Sequence, residues 1–278
     1  MDPLRRLLAR LRAGRRAAAS APQSDAGPPA PDQKTGQTVF DDVPLRFRSL
    51  TVAHPDFAKL QEPGGAPGAF KIRLAGLSNY RRAAGTLVER RYASRGYRSR
   101  HGTEDPDLYT FIAYDEGVLA GTVSVRLDGG NGLAADALYG AEIDALRAEG
   151  ARLCEFTRLA VDVKAASKPV LAGLFHTAYL YAAHVRGYSH AVIEVNPRHV
   201  AFYRRALAFE PLGGERMNPR VQAPGVLLAV SFAEIAQGLA AFAGRPGSAA
   251  TERSLFPYGF DRDEEAGILQ RLRALERG

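Results

Sequence analysis

The chain has 278 residues, 46% of them hydrophobic, and a formal net charge of +7. That composition supports one substantial buried core with appendages, and no apolar run approaches the roughly 20 residues of a membrane-spanning helix. A single cysteine excludes an internal disulfide and fits a reducing, cytoplasmic compartment, and six histidines without a Cys/His cluster at ligand spacing speak against a metal site.

The charge is unevenly spread. Residues 1–20 hold six arginines and one aspartate, which is +5 of the net +7. Leu4, Leu7, Leu8 and Leu11 recur there at helical spacing among Arg5, Arg6, Arg10 and Arg12. Two readings fit this segment: a solvated tail, or a short basic amphipathic helix touching an acidic partner or making peripheral contact with an anionic inner membrane face. The arginines interrupt any signal-peptide core, so export is not expected. Residues 20–38, rich in Ala, Pro, Gly and polar residues, read as a disordered linker. The expected organisation is therefore a tail and linker over 1–38, a domain over 39–240 and an extension over 241–278.

Within the domain, Phe70 to Leu74 reads as a strand, and Ser78 or Asn79 caps a predicted helix to about Tyr92. Tyr109–Tyr114 and Val118–Arg126, joined by Asp115-Glu116-Gly117, predict a hairpin. A helix is expected over 134–148. It leads into Leu153-Cys154-Glu155-Phe156-Thr157-Arg158-Leu159-Ala160-Val161-Asp162, an apolar strand interrupted by two charges. Glu155 and Arg158 project to opposite faces of a regular strand unless a bulge re-aims one of them. Two charges on a central strand are costly unless paired or functional, so they read either as a structural pair or as a catalytic carboxylate with a supporting arginine. Cys154 reads as a core thiol.

Pro169 to Gly187 brackets a helix with a broad apolar face. Val192–Val195 is a strand, Asn196-Pro197 starts a helix, and Tyr203 follows Asn196 by seven residues, about two turns on the same side. Val226 to Phe232 reads as a late strand. Beyond residue 240 the chain is Gly/Pro/Ser-rich and ends in an amphipathic helix near 262–276.

The strand, helix, strand, Asn-to-Tyr helix and short strand resemble the acyl-binding core of the GNAT superfamily of N-acyltransferases. Glu155-Phe156-Thr157-Arg158 is similar to the Glu-x-(Ser/Thr)-Arg strand of acyl-homoserine-lactone autoinducer synthases. A nearer resemblance is to the long-chain N-acyl amino acid synthases. It rests on Arg90-Arg91-Tyr92 with Gly96-Tyr97, the 155–162 strand, the 196–209 helix, and Asn218-Pro219-Arg220-Val221 before Leu227-Leu228, and it spans about residues 70–235.

The resemblance implies an α/β (α+β) fold with a GNAT-like mixed, mostly antiparallel central sheet flanked by helices. It implies direct transfer of a fatty acyl group from an acyl-phosphopantetheine thioester, on an acyl carrier protein or on coenzyme A, to the α-amino group of an amino acid. In that reading Glu155 is the base, Arg158 orients it or a substrate group, and Tyr203 meets the leaving thiolate or simply packs. The donor is held by Asn196, Lys168 and the backbone at Leu159, Ala160 and Val161. The family's pyrophosphate-binding glycine loop has no good counterpart, since Lys168-Pro169-Val170-Leu171-Ala172-Gly173 matches it only at Lys168 and Gly173. That departure favours a carrier-protein donor. Arg81, Arg82, Arg90, Arg91, Arg95, Arg98, Arg100, Arg204 and Arg205 offer an acidic carrier a basic surface, and no nucleic-acid motif accompanies them. The competing readings are autoinducer-synthase-like or acyl-CoA-dependent chemistry, or a non-catalytic module that holds acyl carriers or membrane.

Overall fold

The computed structural model describes residues 70–74, 105–115, 118–162, 167–220 and 222–277. The basic N-terminal segment, the linker, the helix expected from Ser78 to Tyr92 and the arginines from Arg81 to Arg100 lie outside them. Eight strands form one sheet: β1 (Phe70–Leu74), β2 (Leu108–Asp115), β3 (Val118–Leu127), β4 (Leu153–Val161), β5 (His190–Val195), β6 (Glu210–Pro211), β7 (Arg216–Asn218) and β8 (Ala223–Ser231). Their order is β1-β2-β3-β4-β5-β8-β6, with β7 on β8. Among the described residues only β4 and β5 run parallel, and the other pairings are antiparallel. This is the mixed, mostly antiparallel, helix-flanked sheet of the GNAT-like expectation.

One face carries α1 (Asp136–Ala148), which buries Tyr139, Ile143 and Leu146 against Leu153, Val192 and Leu227. The other carries α2 (Lys168–Tyr179). Ser167 accepts a hydrogen bond from the Val170 amide and Pro169 sits in the first turn, so α2 starts where capping chemistry directs. Helix α2 packs on β3 and β2, and residues Val170 to Tyr179 are all buried. It continues as a π-helical turn over Leu180–Val185, so the single helix expected to Gly187 widens before that glycine ends it at φ 70°.

The Asn196-to-Tyr203 segment is a 3-10 turn, Pro197–His199, followed by α3 (Val200–Leu207). Helix α3 closes on Ala208 at φ 59°, a left-handed position that disfavours any Cβ. Ala208→Gly is therefore expected to stabilise the protein by up to about 1 kcal/mol. A denaturant midpoint that does not rise would contradict this.

The sequence reading passes from the late strand directly into a Gly/Pro/Ser-rich extension, whereas the structure inserts α4 (Phe232–Phe242) between them. Its signal is a capping box: Ser231 accepts from the Glu234 amide while the Glu234 carboxylate accepts from the Ser231 amide. The chain then returns across α2 through the turn Phe256–Tyr258 and ends in α5 (Arg262–Arg277). Leu255, Phe256, Phe260, Ile268, Leu272 and Leu275 join the main core. The extension thus covers α2 and the π-helical turn with a second apolar layer.

Candidate active site

Strand β4 is regular through Phe156 and then breaks. Thr122 pairs with Ala160 and Ser124 with Thr157, so Arg158 and Leu159 together oppose Val123. Arg158 sits at φ 51° in this bulge, which is how a bulky residue comes to occupy the left-handed region. The side chain of Arg158 is exposed.

On the opposite edge, β4 pairs with β5 only at Leu153↔His190, Cys154↔Ala191 and Glu155↔Val192. Beyond Glu155 the two strands separate. The Asp162 amide bonds the Ala120 carbonyl at 2.8 Å, so in the alternating antiparallel ladder its neighbour Val161 turns N–H and C=O away from β3. Those groups face the gap that β5 has vacated.

Glu155 is the last paired residue below this gap and is 4% exposed. Its Oε2 accepts hydrogen bonds from the Ala134 amide at 2.6 Å and the Ala135 amide at 3.3 Å, just ahead of α1. A helix N-terminus favours an anion there. The donors are held in place: Asp136 accepts from the Leu133 amide at 2.7 Å, and Arg147 bonds both Asp136 and Asp128. Burial nevertheless dominates and raises the Glu155 pKa above its ordinary value. The two amides and the charges of Arg126 and Arg220 oppose that rise.

The arginines acting on Glu155 thus include two that the sequence did not single out as supports. Arg126 lies opposite Glu155 on β3 and bonds Asp105 at 2.6 Å. Arg220 follows β7 and donates to the Ala134 carbonyl at 2.9 Å. The same face also holds Glu194 of β5, which accepts from the Asn218 amide group at 2.6 Å and lies 3.8 Å from Arg220. Gly225 makes room for it, since a Cβ there would stand 2.5 Å from Glu194 Oε1. Tyr139 ties α1 beneath the site by donating to the Gly225 carbonyl at 2.7 Å, and burial pushes its pKa up to about 12.

The remaining expected residues are spread around the gap. Tyr203 is buried on α3 with its ring edge-on to Phe175, Phe202 and Phe209. Asn196 caps the turn before α3, accepting from the Arg198 amide at 3.3 Å and donating to the Pro224 carbonyl at 3.4 Å. Lys168 opens α2 with its ammonium 5.6 Å from the Tyr258 ring centre. Ala160 and Val161 are buried in β4, and Leu159 packs partly against the core.

The glycine-loop comparison needs one correction. Residues 168–173 lie inside α2, with Leu171 fully buried, so they are not the strand-to-helix loop. The residues between β4 and α2 are 162–167, Asp-Val-Lys-Ala-Ala-Ser, and they also include no glycine. Cys154 is fully buried, and desolvation raises its pKa well above the ordinary thiol value, which agrees with a core role.

No curated protein sequence matches the chain. A family model, N-acyl amino acid synthase FeeM, matches residues 83–231, more than half of the chain. Among solved structures, FeeM, an N-acyl amino acid synthase from uncultured soil microbes, is 29% identical with a TM-score of 0.56. That match covers 62% of this chain and 95% of FeeM. An acyl-CoA N-acyltransferase from Pseudomonas aeruginosa is 14% identical, with a TM-score of 0.43, 59% of this chain covered and 99% of the other. A CoA-dependent acyl-homoserine lactone synthase, BjaI, is 11% identical, with a TM-score of 0.41, 69% of this chain covered and 79% of the other. The chain belongs to the N-acyl amino acid synthase FeeM family and is an acyltransferase.

Proposed function

We propose that the enzyme transfers a long-chain fatty acyl group from an acyl carrier protein thioester to the α-amino group of a free amino acid. The observation that carries this reading is the parting of β4 and β5 directly above Glu155. A thioester on an extended phosphopantetheine arm can enter such a gap and present its carbonyl to the Val161 amide. Glu155, ionised, takes a proton from the acceptor ammonium, directly or through water. The freed nitrogen attacks the carbonyl carbon and forms the C–N bond, charge collects on the carbonyl oxygen beside the backbone donor, and collapse breaks the C–S bond as the nitrogen's surplus proton passes to the departing sulfur. Tyr203 supplies the departing thiolate with a proton or a hydrogen bond, Asn196 and Lys168 border the donor path, and Arg158 orients a substrate group.

Support for the carrier donor is the absence of glycine from residues 162–167, because glycine is what lets a backbone approach a pyrophosphate closely. Exposed Arg205 on α3 adds positive charge for an acidic carrier, beside Arg204, which is paired with Glu210 at 3.1 Å. Membrane contact through the basic N-terminal segment would place the enzyme near its lipidic product.

The test is mass spectrometry of products from purified protein, a mixed amino-acid pool, and long-chain donors presented on carrier protein or on coenzyme A. An N-acyl amino acid formed from the carrier donor alone is the expected result. Product from the coenzyme A donor alone would replace the donor assignment, and no product from either would overturn the reaction.

A further inference from the structure

The geometry points to Arg220 as the group that binds the α-carboxylate of the acceptor amino acid, beside Glu155, which receives its ammonium; this rests on the proposed amino-acid acylation. Arg220 Nη2 donates to the Ala134 carbonyl at 2.9 Å and lies 3.8 Å from Glu194 Oε2. Its Nε and Nη1 make no hydrogen bond to the described residues, and the side chain is 51% exposed. The turn that presents it is stiff, because the Arg220 amide donates to Asn218 Oδ1 at 2.9 Å while the Asn218 amide group holds Glu194. A guanidinium fixed at one nitrogen and open at the others is suited to gripping a carboxylate with two parallel hydrogen bonds.

Ala134 supplies the ruler. Its N–H bonds Glu155 and its C=O bonds Arg220, so a single residue backbone spans the two side chains. Glu155 Oε2 and Arg220 Nη2 can then be no more than about 9 Å apart. A free α-amino acid presents the same N–Cα–C–O sequence, with a cation at one end and an anion at the other. With a hydrogen bond at each end it reaches across the same interval, from the Glu155 carboxylate to the open side of Arg220. The Arg220 charge is close enough to lower the proton affinity of Glu155, so both act on one small volume. Arg126 is the other cation at this site, but its guanidinium bonds Asp105 at 2.6 Å and is 19% exposed.

This assignment predicts selectivity for the free acid over its amide. The experiment offers the enzyme a pool of amino acids against the matching pool of their α-carboxamides, with one donor, and reads N-acyl acids and N-acyl amides by mass spectrometry. The unaltered enzyme should favour the acids strongly. Arg220→Gln should erase at least about tenfold of that preference, with a raised acceptor KM and an unchanged donor KM. Arg220→Lys, which keeps the charge and loses the fork, should fall between them. Because Arg220 is half exposed on a turn, both variants should keep the wild-type circular dichroism spectrum. An unchanged acid-to-amide ratio in both variants would overturn the anchor and leave the acylation reading standing. Amides accepted as readily as acids by the unaltered enzyme would do the same. Failure to acylate either pool would overturn the acylation reading and the anchor together.

Discussion

Glu155→Gln is expected to cut turnover by roughly 10²- to 10⁴-fold while leaving the fold intact. Glutamine fills the same space and its amide oxygen can still accept from the Ala134 and Ala135 amides, so only the proton acceptor is lost. The pH dependence sharpens the test. Desolvation raises the Glu155 pKa, so turnover should rise with pH as the carboxyl ionises, and the variant should lack that acid limb. Stability should move the opposite way. A folded-state pKa above the ordinary 4.5 means that the proton is held more tightly in the folded protein. The associated stabilisation is complete below the unfolded pKa and is lost as pH climbs through the folded one. Above that value the wild type carries a buried charge that the variant does not. Glu155→Gln should therefore melt higher than wild type near about pH 8, with the gap closing towards about pH 4. Normal turnover in the variant would remove Glu155 from the chemistry. A variant that melts lower at the higher pH would show instead that the two amides and the nearby arginines outweigh burial.

Deleting residues 243–278 is expected to abolish cooperative unfolding, although those residues lie beyond the family-matched segment 83–231. Leu255, Phe256, Phe260, Ile268, Leu272 and Leu275 all belong to the main core. Phe256 lines one cavity together with Ala172 and Phe175 of α2, and the Leu255 amide bonds the Ala206 carbonyl of α3 at 2.9 Å. Polar links pin the same layer. The Phe260 amide donates to His176 Nδ1 at 3.1 Å, which leaves the imidazole proton on Nε2, 3.6 Å from Glu265. Tyr181 donates to Glu276 at 2.8 Å, and Arg186 lies 3.6 Å from the same carboxylate. Removing the layer would expose the apolar face of α2 and strip His176 of its partners Phe260 and Glu265. A point variant grades the effect: Phe256→Ala should cost about 3–5 kcal/mol, read from a denaturant midpoint. A truncated protein that melts as cooperatively as the full chain would show that the layer is dispensable.

These two tests probe parts of the molecule with different legibility in the sequence. The Glu155 strand stands out because charges interrupt an apolar run, and such interruptions are costly unless they serve something. The hairpin β2–β3, α1 and α5 follow from alternation and helical spacing. Helix α4 escaped a reading tuned to hydrophobic pattern, although Ser231 and Glu234 stand at capping-box spacing. The lining of the site was harder to see. Arg126, Glu194 and Asn218 come from three strands and Arg220 from the turn after the last of them, and nothing local to any of them marks a neighbour of Glu155. Arg158 drew attention by its closeness in sequence, but the bulge gives it an exposed, left-handed position of its own.

The sequence by itself determined most of the described strands and helices, though not α4 or β7, together with a candidate base on β4 and the resemblance to N-acyl amino acid synthases. Those depend on periodicity, capping and residue type, which are written within a few turns of chain. Tertiary structure alone decided that β5 leaves β4 just past Glu155, that Ala134 links Glu155 to Arg220, and that the extension completes the core. Each joins residues far apart in the chain, and such contacts are set by how faces pack and strands register, information that no short window of sequence contains.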